Sequence, residues 1–375
     1  MTVHTTETVR VGFYAVGMTG PGSGAWTRLR ELMLSLQPRV GCEAIALVDS
    51  PEGAAELAEL GLEVELVDRS SRLVRMVGVR RQILDFVRRH SLDVIHVETV
   101  PLPGQLPVPA LLSIHDLRFH HEAFSLPRYV SSLVKTRLQI VGARRARRVL
   151  ALTAWAQSDI AAQLRIPTNR IEVIPPPLPV PPDDAAVGAP APSGVGERYV
   201  LALGHLEPRK NLEVLCRAAV GAGWPGGISL VLAGDDHGEG PALRAIAERA
   251  TVPIVFAGAV NEAEKWRLLA GAELVLVPST LEGFGIVVLE GIVSGTPVLV
   301  SDQTALPEVV GTPEAVLPVH DAAAWAAAVA RLTGDEDGRQ ELLEEERRCV
   351  DRFSSAAIAE QLVGLYAELL GERIR

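Results

Sequence analysis

The chain has 375 residues, which is long for one domain and sufficient for two. Hydrophobic residues make up 48% and charged residues 22%, a composition typical of a globular protein with large cores. The formal net charge of −10 argues against nucleic acid as the main partner. No run of about 20 apolar residues is present, so the sequence predicts no membrane-spanning segment.

Cysteine usage and the N-terminus bear on location. Cys42, Cys216 and Cys349 are scattered, without a CxxC pair or a metal-binding spacing. The first residues, MTVHTTETVRVGF, lack a basic region followed by an apolar core, so no signal peptide is expected. Both observations predict a cytoplasmic protein.

The first half of the chain alternates strand-like apolar runs with helical patterns. Helical patterns cover 25–36 and 73–89, between runs of four to seven residues. This alternation predicts an α/β fold with a parallel, doubly wound sheet, in a first domain covering residues 1–178. The predicted strands are Val9–Ala15, Ala44–Asp49, Leu62–Val67, Leu92–Val97, Ala110–Ile114, Val149–Thr153 and Ile171–Ile174.

A glycine-rich segment, GMTGPGSG, follows the first predicted strand and includes Gly22 and Gly24. A strand, a glycine loop and a helix form a phosphate-binding arrangement, because small residues let backbone amides approach an anion. The rival interpretation is a dinucleotide-binding Rossmann domain with Asp49 on the ribose. A GxGxxG motif counted from Gly22 would need glycine at Thr27, which weakens that rival.

Histidines and arginines follow the fifth predicted strand. The run SIHDL places His115 and Asp116 at the carboxyl edge of the sheet, where such sheets bind ligands. His115 is equally compatible with a structural hydrogen-bonding role, and His120 and His121 could line an acceptor site. A helical segment at about 127–148 is rich in arginine. It is either a solvated face or a peripheral membrane contact.

A proline-rich segment, predicted at 179–197, joins this domain to a second alternating series. Prolines and glycines there cannot continue a sheet or helix, which indicates an interdomain linker. The second domain is predicted at 198–353, and a last helix is predicted within 354–375. The predicted strands of the second domain are Tyr199–Leu203, Ser229–Ala233, Pro253–Ala257, Leu274–Val277 and Pro297–Val300.

The second domain contains a strand, a glycine turn and a helix, in the sequence LVLVPSTLEGFGIVVLEGIV. Glu282 lies in the turn, and Glu290 lies in the apolar helix about 7 Å beyond a start near Gly285. Burying Glu290 without a partner is costly, and ligand hydroxyls would satisfy it. The alternative is that Glu290 reaches solvent or pairs with an arginine.

The run EGFGIVVLE, with two glutamates in this order and spacing, resembles the signature of retaining GT-B glycosyltransferases of family four, glycosyl transferases group 1. The resemblance implies two doubly wound Rossmann-like domains facing a central cleft, with the last helix crossing back to the first domain. It also implies a mannosyltransferase-like hexosyltransferase. Such an enzyme moves sugar from a UDP- or GDP-sugar to a hydroxyl of a small-molecule, lipid or glycan acceptor, without a cofactor.

The resemblance also implies roles for individual residues. His115 would lie beside the transferred sugar, and Arg209 and Lys210 would stabilise the leaving diphosphate. Glu282 would bind sugar hydroxyls, and Glu290 the ribose hydroxyls. The family usually has an arginine where this chain has His205, which leaves the second cationic contact to Arg209. The implied donor-binding set is completed by Gly22, Gly24, His205, Val260, Gly283, Phe284, Gly285 and Ile286.

No metal site is expected from the sequence. The Asp-x-Asp run at Asp335–Asp337 is remote from the glycine turns, and Asp235–Asp236 follows a strand and is interpreted as a turn. Two alternatives to the transferase stay open, a Rossmann NAD(P)-dependent oxidoreductase and a non-catalytic sugar-nucleotide-binding protein. A glycosidase using Glu282 and Glu290 as its two carboxylates fits poorly, because a hydrolase requires neither the run GHLEPRKN nor a second phosphate loop.

Overall fold

A computed structural model describes residues 8–18, 20–37, 41–67, 72–98, 102, 104–115, 117, 137–181 and 195–373. Asp116, His120 and His121, and the part of the arginine-rich segment before 137, lie outside these residues. The chain divides into two compact units, 1–177 with 353–375, and 178–352.

The first unit is built on a parallel sheet whose strands follow the order β3-β2-β1-β4-β5-β6-β7 in the described residues. The inner strands are apolar on both faces because helices cover both. The strands are β1 Val9–Tyr14, β2 Cys42–Val48, β3 Glu63–Leu66, β4 Val94–Val97, β5 Ala110–Ser113, β6 Arg148–Ala151 and β7 Ile171–Val173.

Helices cover this sheet, and the C-terminal helix Ser355–Arg373 is one of them. Its Ile358, Leu362 and Tyr366 lie in the same apolar cluster as Trp26 and Leu29 of the first helix, all almost fully buried. The other helices of the unit are α1 Gly24–Leu36, α2 Pro51–Glu59, α3 Arg72–Arg89, α4 at 137–145 and α5 Ala154–Leu164.

The arginine-rich helix ends earlier than the sequence predicted. Helical geometry stops at 145, and Arg148 is the first residue of β6 rather than the end of a helix. Sheet pairing explains the difference, because Arg148 pairs in register with Leu111 and the Arg147 N–H donates to the Ala110 carbonyl at 2.7 Å. Tertiary hydrogen bonding thus overrides the helical propensity of consecutive arginines.

The second unit is a parallel sheet of order β10-β9-β8-β11-β12-β13 in the described residues. Together with the first sheet, it confirms the predicted fold of two doubly wound Rossmann-like halves. The strands are β8 Tyr199–Leu203, β9 Ser229–Ala233, β10 Ile254–Gly258, β11 Leu274–Val277, β12 Val298–Ser301 and β13 Val316–Leu317. The helices are α6 Leu212–Val220, α7 Gly240–Ala247, α8 Glu262–Gly271, α9 Ile286–Val293, α10 Leu306–Val310, α11 Ala322–Thr333 and α12 Glu336–Val350.

The strand orders locate the ligand-binding edge of each unit. Chain direction across the sheet reverses between β1 and β4 in the first unit, and between β8 and β11 in the second. Ligands of open α/β sheets bind outside the carboxyl ends of the strands at such a reversal. The segments that follow these four strands carry most of the predicted site residues. Within the described residues, no helix combines the length and apolar character that crossing a membrane requires.

Candidate functional site

Three predicted catalytic residues meet in the second unit. The Lys210 ammonium lies 2.7 Å from Glu282 Oε1, and the Arg209 guanidinium lies 3.3 Å from Glu282 Oε2. The Ser279 hydroxyl donates to Glu282 Oε1 at 3.0 Å. Each of the three charged side chains is at least 85% buried, with 11–15% of its surface exposed. The cluster therefore concentrates charge where water screens it weakly.

Two loops hold this cluster together. A 3-10 turn, Pro208–Lys210, follows β8, and Asn211 after it adopts a left-handed conformation with φ of 51°. The Asn211 side-chain amide donates to the carbonyls of Pro278 at 3.1 Å and Val319 at 2.8 Å. The Thr280 N–H donates to the Arg209 carbonyl at 2.8 Å. These bonds fix the loop after β8 against the loop after β11, which brings Lys210 to Glu282.

Glu282 is held as an anion. Burial by itself would raise the pKa of this carboxyl, but the charges of Lys210 and Arg209 outweigh burial and lower its pKa. Arg209 also contacts Glu207 at 2.6 Å. Both cations of the cluster are therefore already paired with carboxylates.

Glu290 has a protein partner that the sequence analysis missed. It lies in α9 with 2% of its surface exposed, and its Oε1 is 2.7 Å from the Lys265 ammonium. Lys265 also pairs with Glu262 at 2.8 Å. Burial would lower the pKa of Lys265, but the two carboxylates raise it. The alternative drawn from the sequence, that Glu290 reaches solvent or pairs with an arginine, is therefore wrong, because its partner is a lysine. The Glu262 and Lys265 spacing in α8 was the available signal.

The glycine turn before α9 depends on Gly285. This residue has φ of 86°, and a Cβ there would lie 2.7 Å from Leu306 Cδ2. Gly283 and the buried Phe284 precede it, and Ile286 is the first helical residue. Val260 lies elsewhere on the same sheet edge, between the end of β10 and Asn261, whose side chain caps α8.

His205 lies beside a second histidine and an aspartate. Its ring stacks on that of His237 with centroids 4.1 Å apart, and the ligand atoms of His205, Asp235 and His237 all lie within 4.8 Å of one another. Asp236 makes the predicted turn by accepting from the N–H groups of Gly238 and Gly240. Asp235 does not share that role, so the interpretation of both aspartates as a turn holds for Asp236 alone.

In the first unit, the glycine loop leads into α1 as predicted. Gly22 has φ of 86°, and Gly24 is the first residue of α1, whose start is capped by the Ser23 hydroxyl at 3.3 Å from the Trp26 N–H. Asp49 is buried, and its Oδ1 accepts from the Gly17 N–H at 2.9 Å. Asp49 therefore anchors the loop, which weakens the dinucleotide interpretation that placed it on a ribose.

His115 contacts a buried charge network. Its Nε2 lies 3.0 Å from Glu98 Oε2, and Arg28 donates to both oxygens of Glu98 at 2.8 and 2.7 Å. His96 Nε2 is 3.0 Å from the same carboxyl group and 2.8 Å from the Ser113 hydroxyl. Glu98, Arg28 and His96 were not among the residues predicted from the sequence. The only signals were a glutamate directly after β4 and an arginine among the apolar residues of α1.

The charge states of this network follow from burial and the Arg28 charge. Burial would raise the pKa of Glu98, but Arg28 and the two histidines hold it well below its usual value. Burial lowers the pKa of His96 to about 4, against the opposing effect of Glu98. His96 is therefore neutral at pH 7, and Arg28 carries the charge that balances Glu98. Glu98 is the charged group that His115 contacts, two residues after the end of β5.

Comparison with known proteins matches both halves of the chain. Residues 197–335 match the family described as "Glycosyl transferases group 1", and residues 23–177 match the "Glycosyl transferase 4-like domain". The chain is 31% identical over 246 residues to a D-inositol 3-phosphate glycosyltransferase of Nocardia farcinica, covering 60% of this chain and 54% of that one.

Another curated relative and two solved structures are also similar to this chain. An MMP alpha-(1->4)-mannosyltransferase of Mycolicibacterium hassiacum is 29% identical over 61% of this chain and 56% of its own length. The chain thus spans about half the length of both curated relatives. Anabaena HepE, solved with UDP and glucose, has a TM-score of 0.74 at 18% identity and covers 96% of this chain and 100% of its own. Sucrose-phosphate synthase of Thermosynechococcus elongatus has a TM-score of 0.74 at 20% identity, over 97% and 100%.

Proposed function

We propose that this chain, which belongs to the GT-B glycosyltransferases of family four, transfers a hexose from a nucleoside diphosphate sugar to a hydroxyl group with retention of configuration. The observation that carries the proposal is the cluster of Lys210, Arg209 and Glu282. It lies where β8 and β11 end, at the reversal of strand order. Fixed cations beside a carboxylate suit a donor that carries both phosphate and sugar hydroxyls.

The proposed chemistry breaks the bond between the anomeric carbon and the β-phosphate oxygen. The acceptor oxygen forms the new bond on the same face, and its proton goes to an oxygen of the departing diphosphate. Lys210 and Arg209 neutralise the charge that develops on this leaving group. The scheme needs no side-chain nucleophile and no metal ion, because the leaving phosphate accepts the proton and protein cations balance its charge.

The other site residues are assigned by the family pattern. Glu282 and the turn Gly283–Ile286 bind sugar hydroxyls, and Val260 lies where the base would rest. His115, positioned by Glu98, contacts the transferred sugar. Gly22 and Gly24 offer backbone amides to phosphate.

The names of the relatives narrow the range of candidate donors and acceptors. One is named for glycosyl transfer to an inositol phosphate and one for mannosyl transfer, and HepE was solved with UDP and glucose. We propose a UDP- or GDP-hexose as donor, and a small-molecule, lipid or glycan hydroxyl as acceptor. The protein itself would need no further cofactor.

Thermal shift followed by a turnover assay tests the function. A ligand that binds only the folded state stabilises it by about 2.7 kcal/mol at 100 times its Kd, so the correct sugar nucleotide should raise Tm. UDP-, GDP- and ADP-sugars are compared with NAD, NADP and FAD. Release of nucleoside diphosphate with an acceptor mixture then measures turnover.

Each alternative has its own outcome in these assays. Stabilisation by a dinucleotide and by no sugar nucleotide would indicate the oxidoreductase. Stabilisation by a sugar nucleotide without release of nucleoside diphosphate in any acceptor mixture would indicate a binding protein. Glycoside hydrolysis without any nucleotide requirement would indicate the glycosidase.

Glu290 and Glu282 should respond differently to loss of charge. Glu290→Gln should weaken the affinity for free UDP or GDP about tenfold, because a charged acceptor for the ribose hydroxyls becomes a neutral one. Glu282→Gln should leave that affinity equal or higher, because Lys210 no longer shares its charge with a carboxylate. Calorimetry with the free nucleotide measures both. Equal losses in the two variants would contradict the assignment of roles.

Glutamine is chosen at Glu290 for a structural reason. Its amide oxygen can still accept from Lys265, so the buried lysine keeps Glu262 and one neutral acceptor. Alanine would leave a hole beside a buried ammonium and confound folding with binding. Glu264→Gln, in the first turn of α8, the helix that carries Lys265, is the matched control and should leave nucleotide affinity unchanged.

Peripheral membrane contact is a further part of the proposed function. An open depression of about 710 Å³ in the first unit is lined in part by apolar residues such as Leu106 and Pro107. Five arginines also line it: Arg144, Arg145, Arg147, Arg148 and Arg170. Basic and apolar side chains on one surface favour anionic lipid headgroups. More protein should sediment with phosphatidylglycerol vesicles than with phosphatidylcholine vesicles. The double variant Arg144→Glu, Arg145→Glu should remove this difference.

The proposed location is the cytoplasm. Cys42, Cys216 and Cys349 are all free thiols, two of them buried, which supports a reducing compartment. Donors of the nucleoside diphosphate class would be met in that compartment.

A further inference from the structure

We propose that His205, Asp235 and His237 form a binding site for a divalent transition-metal ion at the ligand-binding edge of the second unit. The three side chains are exposed, and their ligand atoms lie within 4.8 Å of one another. In the described part of the chain, none of these side chains has a hydrogen-bond partner. Two imidazoles and one carboxylate are a common ligand set for zinc and related ions.

The backbone brings the three ligands together through a pair of glycines. Gly204 and Gly234 directly follow β8 and β9 with φ of 140° and 147°, and a Cβ on Gly234 would lie 2.2 Å from the Gly204 carbonyl oxygen. Only glycine permits so close an approach. The residues that follow, His205 and Asp235, are therefore held on adjacent strand ends.

Backbone hydrogen bonds fix the second loop against the first. The Leu206 N–H donates to the Asp235 carbonyl at 2.8 Å, and the His237 N–H donates to the Leu206 carbonyl at 3.1 Å. Asp236 closes the loop by binding two amides of its own turn, which sets Asp235 apart from it. These backbone hydrogen bonds therefore fix the positions from which the three side chains project.

The ligand atoms must move closer together before they can bind one ion. Ligands at 2.0–2.1 Å from a tetrahedral zinc are separated by roughly 3.3 Å. The observed limit of 4.8 Å is wider, and exposed side chains can rotate to close it. Three protein ligands leave at least one coordination position open, which is the arrangement of zinc sites that bind an exchangeable ligand.

The two imidazoles would have to turn before they could bind one ion. Their rings stack face to face, 4.1 Å apart, so each must rotate about its side-chain bonds before both nitrogens point at the same ion. Imidazole ligands favour zinc, cobalt and nickel over magnesium.

The geometry of the metal site does not depend on the proposed transfer chemistry, although the family resemblance places His205 among the donor-binding residues. Lys210 and Arg209 balance the leaving group without an ion, so the metal site stands even if the chain catalyses another reaction. Lys210 nevertheless packs over Gly204, the residue before His205, so a bound ion would add positive charge beside it.

Calorimetric titration of tag-free, chelator-treated protein with Zn²⁺, Co²⁺ and Mg²⁺ tests the proposal. Wild-type protein should bind one Zn²⁺ or Co²⁺ per chain, with visible cobalt absorption from nitrogen ligands, and should bind no Mg²⁺. His237→Ala and Asp235→Asn should each weaken Zn²⁺ binding about tenfold or more. Removing a residue that only hydrogen-bonds to a metal ligand already lowers metal affinity by about 10- to 100-fold, and these two residues would be ligands themselves.

Matched variants separate this site from other metal-binding groups. Asp236→Asn, beside the site, keeps a side-chain oxygen that can accept from the Gly238 N–H. His320→Ala removes an exposed histidine elsewhere in the unit. Both should bind Zn²⁺ as wild type does. Circular dichroism and Tm in chelator check that each variant is folded. Absence of Zn²⁺ and Co²⁺ binding to wild type, or equal binding by His237→Ala and Asp235→Asn, overturns the proposal.

Discussion

Arg28→Met should lower the free energy of unfolding of the first unit by about 3–5 kcal/mol, the usual cost of removing one partner of a buried ion pair. Arg28 and Glu98 expose 1% and 0% of their side chains, and two short hydrogen bonds join them. Methionine replaces much of the arginine stem, so the loss would come mainly from leaving Glu98 charged and without its balancing cation. Hydrogen exchange of the β1 and β4 amides in the full chain measures the change.

A second substitution tests that this explanation is correct. Glu98→Gln in the Arg28→Met background removes the stranded charge, so the double variant should be more stable than Arg28→Met alone. The exposed pair Arg10 and Glu43, half accessible to solvent, is the control, and Arg10→Met should cost less than about 1 kcal/mol. Equal costs for Arg28→Met and Arg10→Met would contradict the buried-charge argument.

Loss of Glu98 should also affect His115. If Glu98 positions this imidazole, a folded Glu98→Gln variant should show a changed pH profile of turnover even where its stability is close to that of wild type. If Glu98 had only a structural role, the pH profile of turnover would stay the same in this variant. The network therefore links the stability of the first sheet to the orientation of a proposed sugar-binding residue.

The fold was predictable because its signals are local. Buried parallel strands appear as short apolar runs, and helices between them show in the pattern of the same sequence. The glycine turn before α9 was predictable for the same reason, because Gly283 and Gly285 interrupt the apolar pattern between β11 and α9. The spacing of Glu282 and Glu290 carried the family resemblance, which the matches to both halves confirm.

The partners of the charged residues were not predictable from local pattern. Lys265 is 25 residues from Glu290, and Arg28 is 70 residues from Glu98. These pairs exist because the sheet brings distant segments to one place, and no periodicity in the sequence records that. Arg148 shows the same limit, because its strand geometry comes from pairing with β5 and not from its own propensity.

Lys210→Ala should lower kcat/KM by about 30- to 900-fold, equivalent to about 2–4 kcal/mol of lost transition-state stabilisation. Lys210 supplies a fixed positive charge to the leaving diphosphate, and alanine removes it. The substitution also leaves the buried Glu282 with Arg209 and Ser279 as partners, so a carboxylate would face the phosphate with less compensation. Arg217→Ala, an exposed cation paired with Glu213 on α6, is the control and should turn over as wild type does.

The double variant Lys210→Ala, Glu282→Gln separates the two causes of that loss. Removing the carboxylate should restore much of the affinity for free UDP or GDP, because the repulsion of the diphosphate disappears with it. Turnover should stay low, because neither the cation for the leaving group nor the proposed acceptor for the sugar hydroxyls returns. Recovery of kcat/KM in the double variant would mean that Lys210 serves mainly to neutralise Glu282. Near-wild-type kcat/KM in Lys210→Ala itself would remove this lysine from the catalytic machinery.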